Sequence, residues 1–242
     1  MITSSSSSPP EWNVSPIWVP HENQYVPIDW SSICFSKKTR YILEFLQTHP
    51  IEHAQVFIRG GLLEQKRPHP QSDLDVTILI DTNSGVFYDW SELERFGHPL
   101  DVKVIPPRNI TSVQSLLIHT RSLQVSGEPF LQRPFTITDR LWQDLWYLYG
   151  VSNLPSRLMY RGYLRVVAVK QIFRSVAILH AMDTNEFTRD LYIALEWSKE
   201  YSVELYHRLK EIYISLHRGD DQEYNIGPIQ KWLKKQYHRR IH

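Results

Sequence analysis

The chain has 242 residues, 42% hydrophobic and 22% charged, which is enough apolar material for a core of ordinary size and excludes disorder throughout. Twenty-seven Lys and Arg oppose 26 Asp and Glu, so the formal charge of +1 gives no global field for gripping a polyanion, and any nucleic-acid contact has to be local. The single cysteine, Cys34, excludes an internal disulfide framework and a zinc site built on cysteines.

Residues 1–30 open on the run Ser4 to Ser8 and continue through Pro9, Pro10, Pro16, Pro20 and Pro27, a pattern that resists helices and sheet ladders alike. A flexible start passing into an extended strap is expected over 1–30. Trp12, Trp18 and Trp30 are unusual for a disordered tail and are expected to pack part of it on the folded body. The same stretch holds no Lys or Arg, whereas secretory and mitochondrial leaders need basic residues. No stretch reaches the run of about 18 apolar residues that a bilayer span needs. The nearest, Val166 to Ala181, is broken by Lys170, Arg174 and His180. The expectation is a cytoplasmic protein with no membrane partner.

After Ser36, the residues Tyr41, Ile42, Leu43, Phe45 and Leu46 recur at helical spacing, and His49-Pro50 closes that helix. Val56 to Ile58 reads as a short strand running into Arg59-Gly60-Gly61. A polar, proline-broken loop from Glu64 to Ser72 leads into Asp73 to Ile80, the strongest strand signal in the chain. Leu100 to Ile105 is another strand, stopped by Pro106-Pro107. Beyond about residue 138 the pattern changes to amphipathic stretches near 139–149, 155–182, 186–217 and 224–240. Breakers such as Asn153-Leu154-Pro155 and Arg218 to Asp221 separate them, and together they read as a helical bundle.

The chemistry is concentrated in the two strands. Side chains alternate faces along a strand, so Asp73 and Asp75 project to one side while Leu74, Val76, Ile78 and Ile80 take the other. Two carboxylates held that close repel each other unless a cation lies between them, and hard oxygen ligands suit Mg²⁺ or Mn²⁺. Asp101, flanked by Leu100 and Val102, faces away from the apolar set with Lys103 and would complete a three-carboxylate cluster. Such a cluster can hold two ions about 4 Å apart, the arrangement of metal-assisted phosphoryl transfer. Gly60-Gly61 lacks β-carbons, so backbone amides there can approach a phosphate.

Strand, Gly-Gly, loop, Asp-Leu-Asp on a strand, then a second strand with an apolar-flanked Asp resembles the core signature of the polymerase-β-like nucleotidyltransferase superfamily. Ile58 to Gly61, Ser72 to Val76 and Leu100 to Val102 fill its slots in order. The resemblance covers about residues 36–135. Many members carry Ser where this chain has Gly61, so here the backbone alone would meet the phosphate. The resemblance implies an α+β fold: a mixed β-sheet with flanking helices over 31–138, followed by an all-helical C-terminal domain over 139–242. It also implies Asp73, Asp75 and Asp101 as catalytic metal ligands. Gly60, Gly61, Ser72, Lys103 and Arg161 are the expected nucleotide contacts, with Lys103, and likewise Arg59, read equally as a structural counter-ion.

The implied reaction transfers a nucleoside monophosphate from a triphosphate, with ATP expected, onto an acceptor hydroxyl, with Mg²⁺ or Mn²⁺ as cofactor. Layout and near-neutral charge rank a small-molecule acceptor before a side chain of a partner protein or an RNA end. A homodimer is a further expected assembly. The rival from another class is a nucleotide sensor that keeps the fold without turnover.

Other groups have ordinary readings beside functional ones. Arg157, Arg161 and Arg165 fall on one helical face, with Lys170 and Arg174 beyond, as phosphate contacts or as a solvated stripe. Glu196 and Glu204 are candidate bases or exposed helix residues. His49, His53 and His69 show no ligand spacing. The acid-free segment Lys231 to His242 is read first as a complement to a helix dipole and second as an RNA contact.

Overall fold

The computed structural model describes residues 11–66, 74–80, 100–154, 163–218 and 225–241. Among these the strands are β1 (Ile17–Trp18), β2 (Gln24–Tyr25), β3 (Ala54–Arg59), β4 (Leu74–Ile80), β5 (Leu100–Ile105), β6 (Leu123–Ser126), β7 (Phe135–Thr136) and β8 (Phe187–Thr188). The α-helices are α1 (Lys37–Thr48), α2 (Gly61–Glu64), α3 (Ser112–Arg121), α4 (Asp139–Tyr149), α5 (Tyr163–Thr184), α6 (Leu191–Tyr201), α7 (Val203–Arg218) and α8 (Gly227–Ile241). The chain is thus a mixed α and β protein, and among the described residues no helix is long and apolar enough to cross a membrane. It divides into two compact units. One is built on Tyr25–Phe135 with the chain up to Ser15, the other on the chain from Thr136 with Pro16–Gln24.

The first unit is organised by a four-stranded sheet in the order β5-β4-β3-β6. β3 pairs antiparallel with both β4 and β6, whereas β4 and β5 run parallel. Every residue of β4 is buried, as befits a central strand covered on both faces. One face packs Val56, Ile58, Leu74, Val76 and Ile78 against Ile42, Leu43, Phe45 and Leu46 of α1. That helix forms because its apolar residues fall on one side and the Ser36 hydroxyl accepts the Thr39 amide at 3.1 Å. It stops at His49, whose Nδ1 lies 3.0 Å from the Phe45 carbonyl, just before Pro50.

The other face carries a smaller apolar group: Phe57, Leu79, Ile105 and Ile118 of α3 are buried, with Phe130 packed against them. A reciprocal capping box starts α3, Thr111 accepting the Gln114 amide while Gln114 accepts from the Thr111 amide. Neither α3 nor β6 was expected from the sequence; both are short, and α3 lacks a strong one-sided pattern.

The second unit is helical apart from short strand pieces. Ile17–Trp18 pairs antiparallel with Phe187–Thr188, and Trp18 meets Phe187 edge-on at 5.1 Å. The expected stretch 186–217 is therefore three elements: β8, α6 and α7. The physical reason lies in the caps. Asp190 accepts the Ile193 amide at 2.8 Å to begin α6, and the Ser202 hydroxyl accepts the Leu205 amide at 3.3 Å to begin α7. Inside this unit Trp146 stacks on Tyr237 at 4.2 Å, and His180 stacks on Trp197 at 3.9 Å. Trp18 and Trp30 are both buried, the first in this unit and the second under the sheet of the other, so the proline-rich strap is anchored by its tryptophans.

Candidate functional site

Residues paired across adjacent strands share a sheet face, and neighbouring strands lie about 4.8 Å apart. Arg59 pairs with Asp75 across β3 and β4, and Asp75 pairs with Asp101 across β4 and β5. These three form one row. The next row along the same face is Phe57, Thr77 and Lys103, and the one after it holds Leu79 and Ile105. The face thus changes from apolar to charged within two rows. α3 and Phe130 cover the apolar end. Burial there, with the nearby charge of Arg133 adding, pushes the His119 imidazole below its usual value and keeps it neutral at pH 7.

At the charged end each aspartate has a cation. Arg59, 5% exposed, donates from Nη2 to Asp75 Oδ1 at 3.2 Å and from Nη1 to Thr77 Oγ1 at 3.2 Å. Asp75 is itself 6% exposed. Lys103 donates to Asp101 Oδ2 at 2.8 Å, and this pair is about half open to solvent. A buried carboxylate is tolerated when a cation pairs with it, so Arg59 makes the position of Asp75 possible. The Nε–H of Arg59 is buried and has no hydrogen-bond partner.

Gly60 joins β3 to α2 with φ of 101°, a backbone that L side chains rarely adopt. The turn is fixed from several sides. The Leu63 amide donates to the Gly60 carbonyl at 3.0 Å, and the Asn13 amide donates to the Glu64 carbonyl at 2.7 Å. The Asn13 side chain donates to the Leu63 carbonyl at 3.0 Å, while Leu62 and Leu63 are buried. Because Arg59 is the last residue of β3 and pairs with Asp75, Gly60-Gly61 leaves the sheet at the same end as the aspartate row.

Of the residues the sequence singled out, the structure brings Gly60, Gly61, Asp75 and Asp101 to one end of the sheet, with Lys103 committed to Asp101. Asp73, Ser72, Arg157, Arg161 and His69 lie outside the described residues, as does the side chain of Arg165. Arg174 lies over the Tyr149 ring at 5.2 Å and so has a packing role. Glu196 pairs with Lys199 at 2.5 Å and Glu204 with Arg208 at 2.7 Å, both on exposed helix turns. Within the basic C-terminal helix, Lys234 donates to the Ser152 carbonyl at 3.0 Å and Arg240 grips Asp183. Sequence reasoning missed the buried pairing of Arg59. The signal was there: alternation places Arg59 on the face of Asp75 as soon as β3 and β4 are set in register.

No family model, curated protein or solved structure matches this chain. Function is therefore argued from the site. Asp75 and Asp101 offer oxygen donors only, from neighbouring strands and on one face, a set that fits a hard divalent cation. Among the described residues no group of three metal-ligating side chains occurs; Asp73, the third expected ligand, lies outside them.

Proposed function

We propose that the chain is a nucleotidyltransferase of the polymerase-β-like type, using Mg²⁺ or Mn²⁺ to move a nucleoside monophosphate from a triphosphate, ATP first, onto a hydroxyl. The observation that carries this reading is the in-register row of Asp75 and Asp101 on parallel strands, at the sheet end where β3 gives way to Gly60-Gly61. Asp75, Asp101 and Asp73 would hold the ion. When bound, it neutralises triphosphate charge and acidifies the acceptor hydroxyl.

The chain's own residues have distinct parts in this reading. Gly60-Gly61 gives the phosphates a close approach to the backbone, on a turn that its hydrogen bonds keep rigid. Asp101, partly open to solvent, takes the acceptor's proton as the hydroxyl oxygen bonds to the α-phosphorus. The bond from that phosphorus to the bridging oxygen breaks, and pyrophosphate leaves with the electron pair. Lys103 stays beside Asp101 as a counter-charge. The near-neutral chain and the helical second unit support a small-molecule acceptor over a nucleic-acid track.

Two observations favour a second reading, a nucleotide sensor without turnover: Asp75 is already neutralised by Arg59, and Gly61 supplies no hydroxyl. Pyrophosphate release from each of the four triphosphates, with Mg²⁺ or Mn²⁺ and a pool of hydroxylated acceptors, separates the two. Release in the wild type that disappears in Asp101→Asn supports the transferase; nucleotide binding without release supports the sensor; absence of both removes the assignment.

A further inference from the structure

The guanidinium of Arg59 is held in an arrangement that structure alone does not account for. It is almost wholly buried, it sits in the aspartate row one residue before Gly60, and it spends one Nη on Asp75 and the other on Thr77. Its Nε–H has nothing to donate to. A buried N–H left without an acceptor carries a desolvation cost that native interiors normally avoid. A cation put there only to neutralise Asp75 would be better served by the two-armed fork with which guanidinium meets carboxylate. The contact is a single one of 3.2 Å.

We propose that Arg59 is the resident counter-ion of this site. It stands in for a divalent cation at Asp75 while the metal is absent, and it presents its Nε–H to a phosphate oxygen once the metal has taken Asp75. This inference rests on the nucleotidyltransferase reading and deepens it. Two positive charges do not share one carboxylate without repelling each other, so metal entry at Asp75 weakens the Arg59 contact. The triphosphate brings the negative charge that re-pairs Arg59. Metal and nucleotide then bind with mutual support, each removing the obstacle to the other. Arg59 contacts the nucleotide in this scheme and also positions Asp75. It keeps Asp75 in place between turnovers and prevents a bare metal from settling there without nucleotide.

The test is direct binding of Mn²⁺, followed by the loss of the free-ion electron paramagnetic resonance signal, and of a fluorescent ATP analogue, followed by anisotropy. Wild type, Arg59→Met, Arg59→Lys and Asp75→Asn are compared. Arg59→Met is expected to bind Mn²⁺ about tenfold more tightly without nucleotide, because the competing charge is gone. In the presence of Mn²⁺ its affinity for the nucleotide is expected to fall about tenfold, the scale of one charge-assisted hydrogen bond. Arg59→Lys keeps the charge but not the fork, folds where the Met variant fails to, and is expected to stay within about threefold of wild type for Mn²⁺ while losing nucleotide affinity as Met does.

Binding of Mn²⁺ in the wild type that is lost in Asp75→Asn but unchanged in Arg59→Met overturns the counter-ion role and leaves the transferase reading standing. So does Arg59→Lys with unaltered nucleotide affinity. Failure of wild type, Arg59→Met and Arg59→Lys to bind Mn²⁺ at millimolar concentration, with or without nucleotide, overturns both.

Discussion

Two of the arginine–aspartate pairs, one taken from each unit, have opposite designs. In the second unit Arg240 meets Asp183 as a fork, Nε to Oδ1 at 2.8 Å and Nη2 to Oδ2 at 2.5 Å, with the carboxylate 42% exposed. Tyr201 adds a hydroxyl to Asp183 at 3.3 Å, and its ring lies against the guanidinium. In the first unit Arg59 and Asp75 are almost buried yet share one contact of 3.2 Å. Good geometry belongs to the pair that needs it least. Water already screens the exposed fork, so it adds little to stability. The buried guanidinium has given up hydration, and its Nε–H has not recovered a partner. A pair kept for stability would combine burial with the fork, so the contrast points to a role for Arg59–Asp75 other than holding the sheet together.

Breaking the buried pair has the largest expected consequence. Asp75→Ala strands a buried guanidinium and is expected to cost about 3–5 kcal/mol in denaturant unfolding, whereas Arg59→Met with Asp75→Leu recovers most of that loss. If the double variant is no more stable than the single, the pair is structural after all. Gly60→Ala comes next. Forcing a β-carbon onto a φ of 101° is expected to cost about 1–3 kcal/mol and to weaken nucleotide binding along with it. An unchanged melting temperature would show that the turn relaxes.

Alkaline pH probes the second unit. Burial, with Asp190 adding, pushes the Tyr213 phenol up to about 12. Burial, helped by Asp183, pushes Tyr201 higher still. The protonated phenols are favoured in the folded state, so their contribution is complete below pH 10 and is lost as pH rises from there through 12. Absorbance at the tyrosinate band should lag behind that of free tyrosine until the unit unfolds. Coincidence of the two curves would mean that these rings are accessible.

Arg240→Met, which removes the exposed fork, is expected to cost less than about 1 kcal/mol, and added salt should shrink the difference further. Asp101→Asn is expected to leave stability within about 0.5 kcal/mol, since its pair with Lys103 is half open to solvent, while turnover falls at least a hundredfold. Loss of stability without loss of turnover would place Asp101 outside the site.

Much of the fold was legible in the sequence. The helix after Ser36, the strands through Val56, Leu74 to Ile80 and Leu100 to Ile105, and the helix from Asp139 to Tyr149 announce themselves by period and by terminating residues. What escaped was short or locally ambiguous: β1 and β8 have two residues each, and α6 and α7 are divided at Ser202 by a hydroxyl cap within a continuous amphipathic pattern. For the site, residue types and alternation put Asp75 and Asp101 on the polar faces of their strands, but Arg59 stayed ambiguous because nothing local says which strand lies beside β3.

The sequence alone determined composition, near-neutral charge, the side of β4 and of β5 that carries the aspartates and the glycine pair that ends β3, because these depend on residue type and on a period of two. Only the tertiary structure decided that Arg59, Asp75 and Asp101 form a single row, that Lys103 serves Asp101, and that one N–H of a buried arginine lacks an acceptor. Register between strands distant in sequence is set by packing both sheet faces at once, and no local pattern encodes that choice.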